Sequence, residues 1–121
     1  MESLSYWLAI DELVAGSEVI LDRARGTVHP RFPALIYPLD YGYLKGTCSG
    51  DGNEIDCWVG SLSTRTVTGV VFTVDLLKRD IEGKLLLGCT REEMRVILAF
   101  HNTGPMSAYL LVRDVDEEAS H

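Results

Sequence analysis

Positive charge is what this sequence has least of: 11 Lys and Arg stand against 18 Asp and Glu, a formal net charge of −7. A chain that docks on nucleic-acid phosphates or on an anionic bilayer needs a net positive face, so no nucleic acid and no membrane is expected as partner. A small local basic pocket is still allowed. Cysteine is scarce too. Cys48, Cys57 and Cys89 are odd in number and form no CxxC pair, which suggests neither a disulfide framework nor a zinc knuckle. They read as small buried apolar residues or a loop thiol. No apolar run approaches the roughly 18 residues needed to span a bilayer. The N-terminus lacks the basic stretch and apolar core of a signal peptide. A soluble, cytoplasmic protein is the expectation. Repeats and low-complexity stretches are absent. So is a βαβαβ alternation, which argues against a doubly wound parallel sheet.

What is present is core material. Hydrophobic residues make up 46% of 121 positions, enough for one domain over 1–121 and too little for two. Residues 3–15 predict a helix, with Leu4, Trp7 and Leu8 on one face, Asp11 and Glu12 on another, and Gly16 as the stop. Strands are expected at 18–22, 55–62, 66–77 and 84–88, all rich in β-branched, aromatic or leucine residues. Three prolines and a glycine make 23–38 a loop. At 90–102 the period changes: Thr90 stands three residues before Glu93 as a capping box, and Met94, Ile97, Leu98 and Phe100 form an apolar helix face. Asn102 to Pro105 end it. Residues 107–113 read as a last strand, and an acidic tail starts at about 114. The fold class is mainly β: a small closed barrel with an N-terminal and a late C-terminal helix.

The chemistry concentrates in "YPLDYGYLKGTCSGDGNEID", residues 37–56. Asp51, Asn53, Glu54 and Asp56 fall within six positions, with Gly52 permitting a tight turn. Carboxylates this close repel unless a cation sits among them, and magnesium suits hard oxygen donors and bound water. A calcium EF-hand loop fails, because its glycine and glutamate positions hold Asp56 and Leu62. A plain polar turn is the alternative reading. Asp80 and Glu82 add a second acidic pair on one strand face, and Lys84 continues that face. Arg23, Arg25, His29 and Arg31 form a basic set upstream, and arginine forks match phosphate oxygens. Oxygen donors for magnesium beside cations for phosphate compose a phosphoryl-hydrolysis site.

"YPLDYGY" followed by "DGNEID" resembles the signature region of the family I soluble inorganic pyrophosphatases. "LLKRDIEGK" is similar to that family's second acidic segment. The resemblance covers roughly residues 17–101. It implies an OB-like barrel with flanking helices, magnesium dependence, pyrophosphate as substrate, cytoplasmic location and a homo-oligomer. It implies catalytic roles for Asp51, Asn53 and Asp56. Metal ligation would fall to Asp51, Asp56, Asp80 and Glu82, and substrate binding to Arg23, Arg31, Tyr41 and Lys84. Three departures stand out. Asn53 replaces the family's middle aspartate, and an amide offers a carbonyl oxygen but no base at neutral pH. Glu82 replaces an aspartate. The chain is short and lacks the family's C-terminal Tyr-Lys pair of phosphate ligands, while Glu18 stands where an upstream acidic ligand could be. Magnesium-dependent hydrolysis of pyrophosphate or another phosphoanhydride is the leading expectation. A non-catalytic module on the same scaffold, binding phosphate compounds or a protein, is the second.

Overall fold

The computed structural model describes residues 2–113, so the acidic tail lies outside the described residues. The elements run α1 (Glu2–Ala15), β1 (Val19–Arg23), β2 (Asp40–Leu44), β3 (Ile55–Val59), β4 (Val67–Asp75), β5 (Asp80–Leu87), α2 (Arg91–Phe100) and β6 (Met106–Val112). All six strands join one sheet in the order β1-β2-β3-β5-β4-β6. Its neighbours pair antiparallel except β3 and β5, which run parallel. Among the described residues no helix is long and apolar enough to cross a membrane.

The mainly β class and both helices agree with expectation, but the expected closed barrel is not what the strands form. Closure would require β1 to pair with β6, and the ladder leaves them as opposite edges. β6 ends at Val112 and leads into Arg113. There Arg113 turns to α1, donating from both terminal nitrogens to Asp11 at 2.7 and 2.8 Å and to the Val67 carbonyl at 3.1 Å. Its guanidinium also lies 5.5 Å from the Trp7 ring.

The central strands are buried on both faces, which is why they read as continuous apolar runs rather than alternations. Cys57, Val59, Leu85 and Leu87 face one core, with Trp7 and Ile10 of α1. Trp58 and Leu86 face the other, with Met94 and Ile97 of α2. Leu8, expected beside Trp7 on the apolar face of α1, is instead 55% exposed. The α2 capping box forms as expected: Thr90 accepts from the Glu93 N–H, and Glu93 accepts from the Thr90 N–H. Cys57 and Cys89 are free and buried, and burial pushes both thiols up to about 12. They act as apolar filler, while Cys48 is an exposed loop thiol.

Strand β2 is not foreseen from the sequence, because Gly42 looks like turn punctuation. Gly42 is central to the strand for another reason. It pairs with both Leu21 and Cys57, and a Cβ there would collide with the Ile20 carbonyl. Only glycine lets β1 approach β2 so closely.

The Asp11–Arg113 pair is half-buried and bidentate, and removing one partner strands a buried charge. Asp11→Ala is therefore expected to destabilise the fold by about 3 kcal/mol in urea unfolding. A change under about 0.5 kcal/mol, the size of a surface substitution, would show that the pair does not hold α1.

Candidate functional site

Three neighbouring strands of the sheet, β2, β3 and β5, place polar side chains on the face covered by α2. Tyr41 and Trp58 are cross-strand partners; Asp56 precedes Trp58 by two residues and shares its face, and Lys84 precedes Leu86 likewise. The result is a compact cluster. The Lys84 ammonium, 7% exposed, donates to the Tyr41 oxygen at 2.8 Å, to Asp56 Oδ2 at 2.9 Å and to Glu82 Oε1 at 3.0 Å. Tyr41 in turn donates its hydroxyl proton to Asp56 Oδ2 at 2.8 Å. Burial alone would lower the Lys84 pKa. The Tyr41 oxygen, Asp56 and Glu82 more than reverse this and hold it above the ordinary lysine value. Burial raises the Tyr41 pKa; Lys84 opposes this and Asp56 reinforces it. At neutral pH Lys84 is thus an ammonium and Tyr41 a neutral phenol.

The acidic loop lines the same cavity as this cluster. Gly52, at φ 89°, makes the turn that the sequence predicts. Asp51 Oδ1 accepts from the Ser49 hydroxyl and from the Asn53 N–H at 3.0 Å, and the Asn53 amide donates to Oδ2 at 3.3 Å. These donors, the Ser49 hydroxyl first, hold the Asp51 carboxyl well below the usual range, at about 2. Asn53 therefore serves the loop structurally, by donating to the aspartate two residues before it. Glu54, which also lines the cavity, accepts from the Gly46 N–H at 3.1 Å.

One cavity of about 460 Å³ joins these parts. Of the nine residues singled out in the sequence, Asp51, Asn53, Asp56, Glu82, Arg31, Tyr41 and Lys84 line it. Arg23 does not: it ends β1, opposite Tyr41 in register, and acts on the Tyr37 hydroxyl. Asp80 does not either; it opens β5 opposite Asp75, which does line the cavity.

Sequence reasoning misses an entire wall. Tyr37 and Trp58 pack 5.8 Å apart, Trp58 and Phe100 5.3 Å apart, and His29 stacks on Tyr37 at 5.7 Å. The available sequence signal is aromatic density in "YPLDYGY", since Phe100 and His101 come from a distant helix end. His101 reads in the sequence as a cation at the end of α2 that complements the helix dipole. The structure corrects that. His101 is buried and its Nε2 accepts from Trp58 Nε1–H at 3.0 Å, so it is neutral. Burial first, then Lys84 and His29, lower its pKa to about 3. His29, placed in the basic set by sequence, also has a lowered pKa, through burial and then Arg23 and Arg31.

Magnesium is the metal that the resemblance implies. Among the described residues no group of three or more His, Cys, Asp or Glu side chains is arranged to hold a metal ion. The donor chemistry nevertheless suits that ion. Asp51, Asp56, Glu82 and Asp75 are hard oxygen donors on one cavity, and magnesium commonly takes one or two carboxylates with water and substrate phosphates completing its shell. The residues fit an ion shared with a phosphate rather than a closed protein cage.

The model of the inorganic pyrophosphatase family matches residues 17–79, about half of the chain, ending just before the strand of Glu82 and Lys84. No individual characterised sequence matches significantly. Solved structures give the same fold at low identity. An inorganic pyrophosphatase from Helicobacter pylori is 16% identical with a TM-score of 0.56, over 78% of this chain and 80% of that one. One from Neisseria gonorrhoeae is 17% identical with a TM-score of 0.58, over 84% and 83%. One from Coxiella burnetii is 13% identical with a TM-score of 0.56, over 84% and 88%.

The buried neutral His101 yields a prediction with a definite sign. Its folded pKa lies below the unfolded value of 6.5, so between about pH 6.5 and 3 the unfolded chain binds a proton that the native state refuses. Stability then falls as pH falls through that window, by up to about 1.4 kcal/mol per pH unit from this group. His101→Gln should flatten the fall of the urea midpoint between pH 6.5 and 4. Parallel falls in both proteins would locate the effect elsewhere.

The signature loop, the strands that hold it, the matched family model and the shared fold converge: this chain belongs to the inorganic pyrophosphatase family.

Proposed function

We propose that this chain hydrolyses pyrophosphate to two phosphates with magnesium. The observation that carries the reading is the Tyr41–Asp56–Glu82–Lys84 cluster on one cavity with the Asp51 loop, in a chain of this family. Charge supports it. Five carboxylates line the cavity (Asp51, Glu54, Asp56, Asp75 and Glu82) against three cations, Arg31, Lys78 and Lys84. An anionic substrate meets net repulsion there unless it arrives with a cation.

Asp51, Asp56 and Glu82 would hold magnesium on the cluster side. Bound there, the ion would neutralise phosphate charge and lower the pKa of a water molecule. The protein's own groups divide the remaining work. Lys84 keeps its proton and fixes one oxygen each of Asp56 and Glu82, orienting both carboxylates. Tyr41 holds its proton toward Asp56 and lines the cavity beside it. Arg31, exposed on the cavity rim, offers a guanidinium fork to a phosphate. Asn53 accepts no proton, so a base for the attacking water is missing from the position where the loop would carry it.

Asn53 is also what favours the second reading, a non-catalytic phosphate-binding module. Its amide stabilises Asp51 as a turn. Asn53→Asp would replace that donor with a second carboxylate two residues away, restoring both a cation ligand and a base. Phosphate release from pyrophosphate, with and without magnesium, is expected to be slow in the wild type and about 100-fold faster in Asn53→Asp, the size of a general-base contribution. If neither protein releases phosphate, the binding-module reading replaces hydrolysis.

A further inference from the structure

The cavity is larger and more apolar than two linked phosphates require. Its volume of about 460 Å³ lies in the range that holds organic ligands. At one end stands the charged cluster of Tyr41, Asp56, Glu82 and Lys84. The other end is made of rings. His29 stacks on Tyr37 with planes 2° apart, Phe32 lies 5.1 Å from His29, and Phe100 lies 5.3 Å from Tyr37. Three of the apolar lining residues are left open to solvent: Phe32 is 43% exposed, and Leu77 and Ile81 are each 73% exposed. Pyrophosphate has only charged oxygens to present and gains nothing from such surfaces.

The ring wall is built rather than incidental. His29, Arg31 and Phe32 sit on an excursion closed by the Val28–Ile36 bridge, by the His29 N–H donating to the Leu35 carbonyl at 2.9 Å, and by the Leu35 N–H donating to the Phe32 carbonyl at 2.9 Å. His29 Nδ1 accepts from the Arg31 and Phe32 N–H groups at 3.0 and 3.2 Å. The neutral ring therefore carries its proton on Nε2 and offers a donor. Tyr37 and Tyr41, 5.6 Å apart, form the floor between the ring wall and the charged cluster.

From this juxtaposition of an exposed ring wall and a phosphate-type cluster in one cavity, we infer that the site takes a nucleoside diphosphate as its magnesium complex, its base against Phe32 and His29 and its cation-bearing phosphates at the cluster of Lys84, Asp56 and Glu82. Such a ligand is pyrophosphate with one terminal oxygen esterified to ribose, so it presents the same single phosphoanhydride. The binding part stands alone; the bond broken rests on the hydrolase reading above. In that hydrolysis a water oxygen bonds to the terminal phosphorus and the bridging P–O bond breaks. The nucleoside monophosphate leaves with the electron pair, and orthophosphate and one proton are released.

Calorimetric titration of the full chain in magnesium with ADP, GDP and pyrophosphate tests the inference, with phosphate release followed in parallel. ADP and GDP should bind roughly fivefold or more tighter than pyrophosphate, the scale of a base stacked on an aromatic ring. Phe32→Ala should erase that preference and Phe32→Trp should restore it; Phe32 is half-exposed, and circular dichroism checks that both variants fold. ADP binding without phosphate release would sustain the inference and remove the hydrolase reading. Turnover of pyrophosphate with ADP and GDP bound no tighter would overturn the inference and leave the hydrolase reading standing. A nucleotide preference untouched by Phe32→Ala would overturn the placement of the base. No binding of any of the three would overturn both.

Discussion

The buried ammonium of Lys84 is the constraint around which the site is organised. A charge taken out of water is costly unless hydrogen-bonded and paired, and Lys84 meets both conditions with three oxygen partners drawn from β2, β3 and β5. Those strands are consecutive in the sheet, so the interaction couples the sheet register to the site. A one-residue slip of β2 or β3 would turn its polar side chain to the opposite face and remove one of the three oxygen partners of Lys84. The phenol of Tyr41 stays neutral chiefly because burial disfavours its anion, with Asp56 reinforcing this against Lys84, whereas Lys84 stays charged despite burial because its oxygen partners hold the proton.

Around the cluster, polarity changes within a few ångströms. Trp58, fully buried, contributes its face to the aromatic packing and its N–H to His101. His101 must be neutral to accept that hydrogen bond, and Lys84 and His29 nearby disfavour its protonation further. The cavity thus sets a cluster of paired charges beside a wall of rings.

Much of the fold is legible in the sequence where one physical signal acts alone. The Thr90–Glu93 box, the period of α2 and the apolar runs of β3, β4 and β5 are local, and local rules place them. Strand β2 is not legible, because Gly42 signals a turn by composition and serves close strand approach by packing. The exposed Leu8 shows the same limit: a 3.6 period gives a face, but Trp7 and Ile10 meet the core because of where α1 lies on the sheet. The attachment of Arg113 to Asp11 joins residues 102 positions apart, and no local rule announces it.

For the site, local spacing specifies the acidic loop, its glycine turn and the alternation that sets Glu82 and Lys84 on one face, while the Tyr41 segment enters through the family resemblance. Each of these depends on a single strand or a single turn. Which of them meet is a matter of packing. The folded sheet brings Lys84 to Tyr41 and Asp56 across 43 and 28 residues, leaves Arg23 and Asp80 off the cavity wall, and builds the ring wall from His29, Tyr37 and Phe100. Strand order and helix placement bring these distant segments into contact. Both are settled by the burial of the two sheet faces and by the pairing of buried charges, and neither is written in any short stretch of the chain.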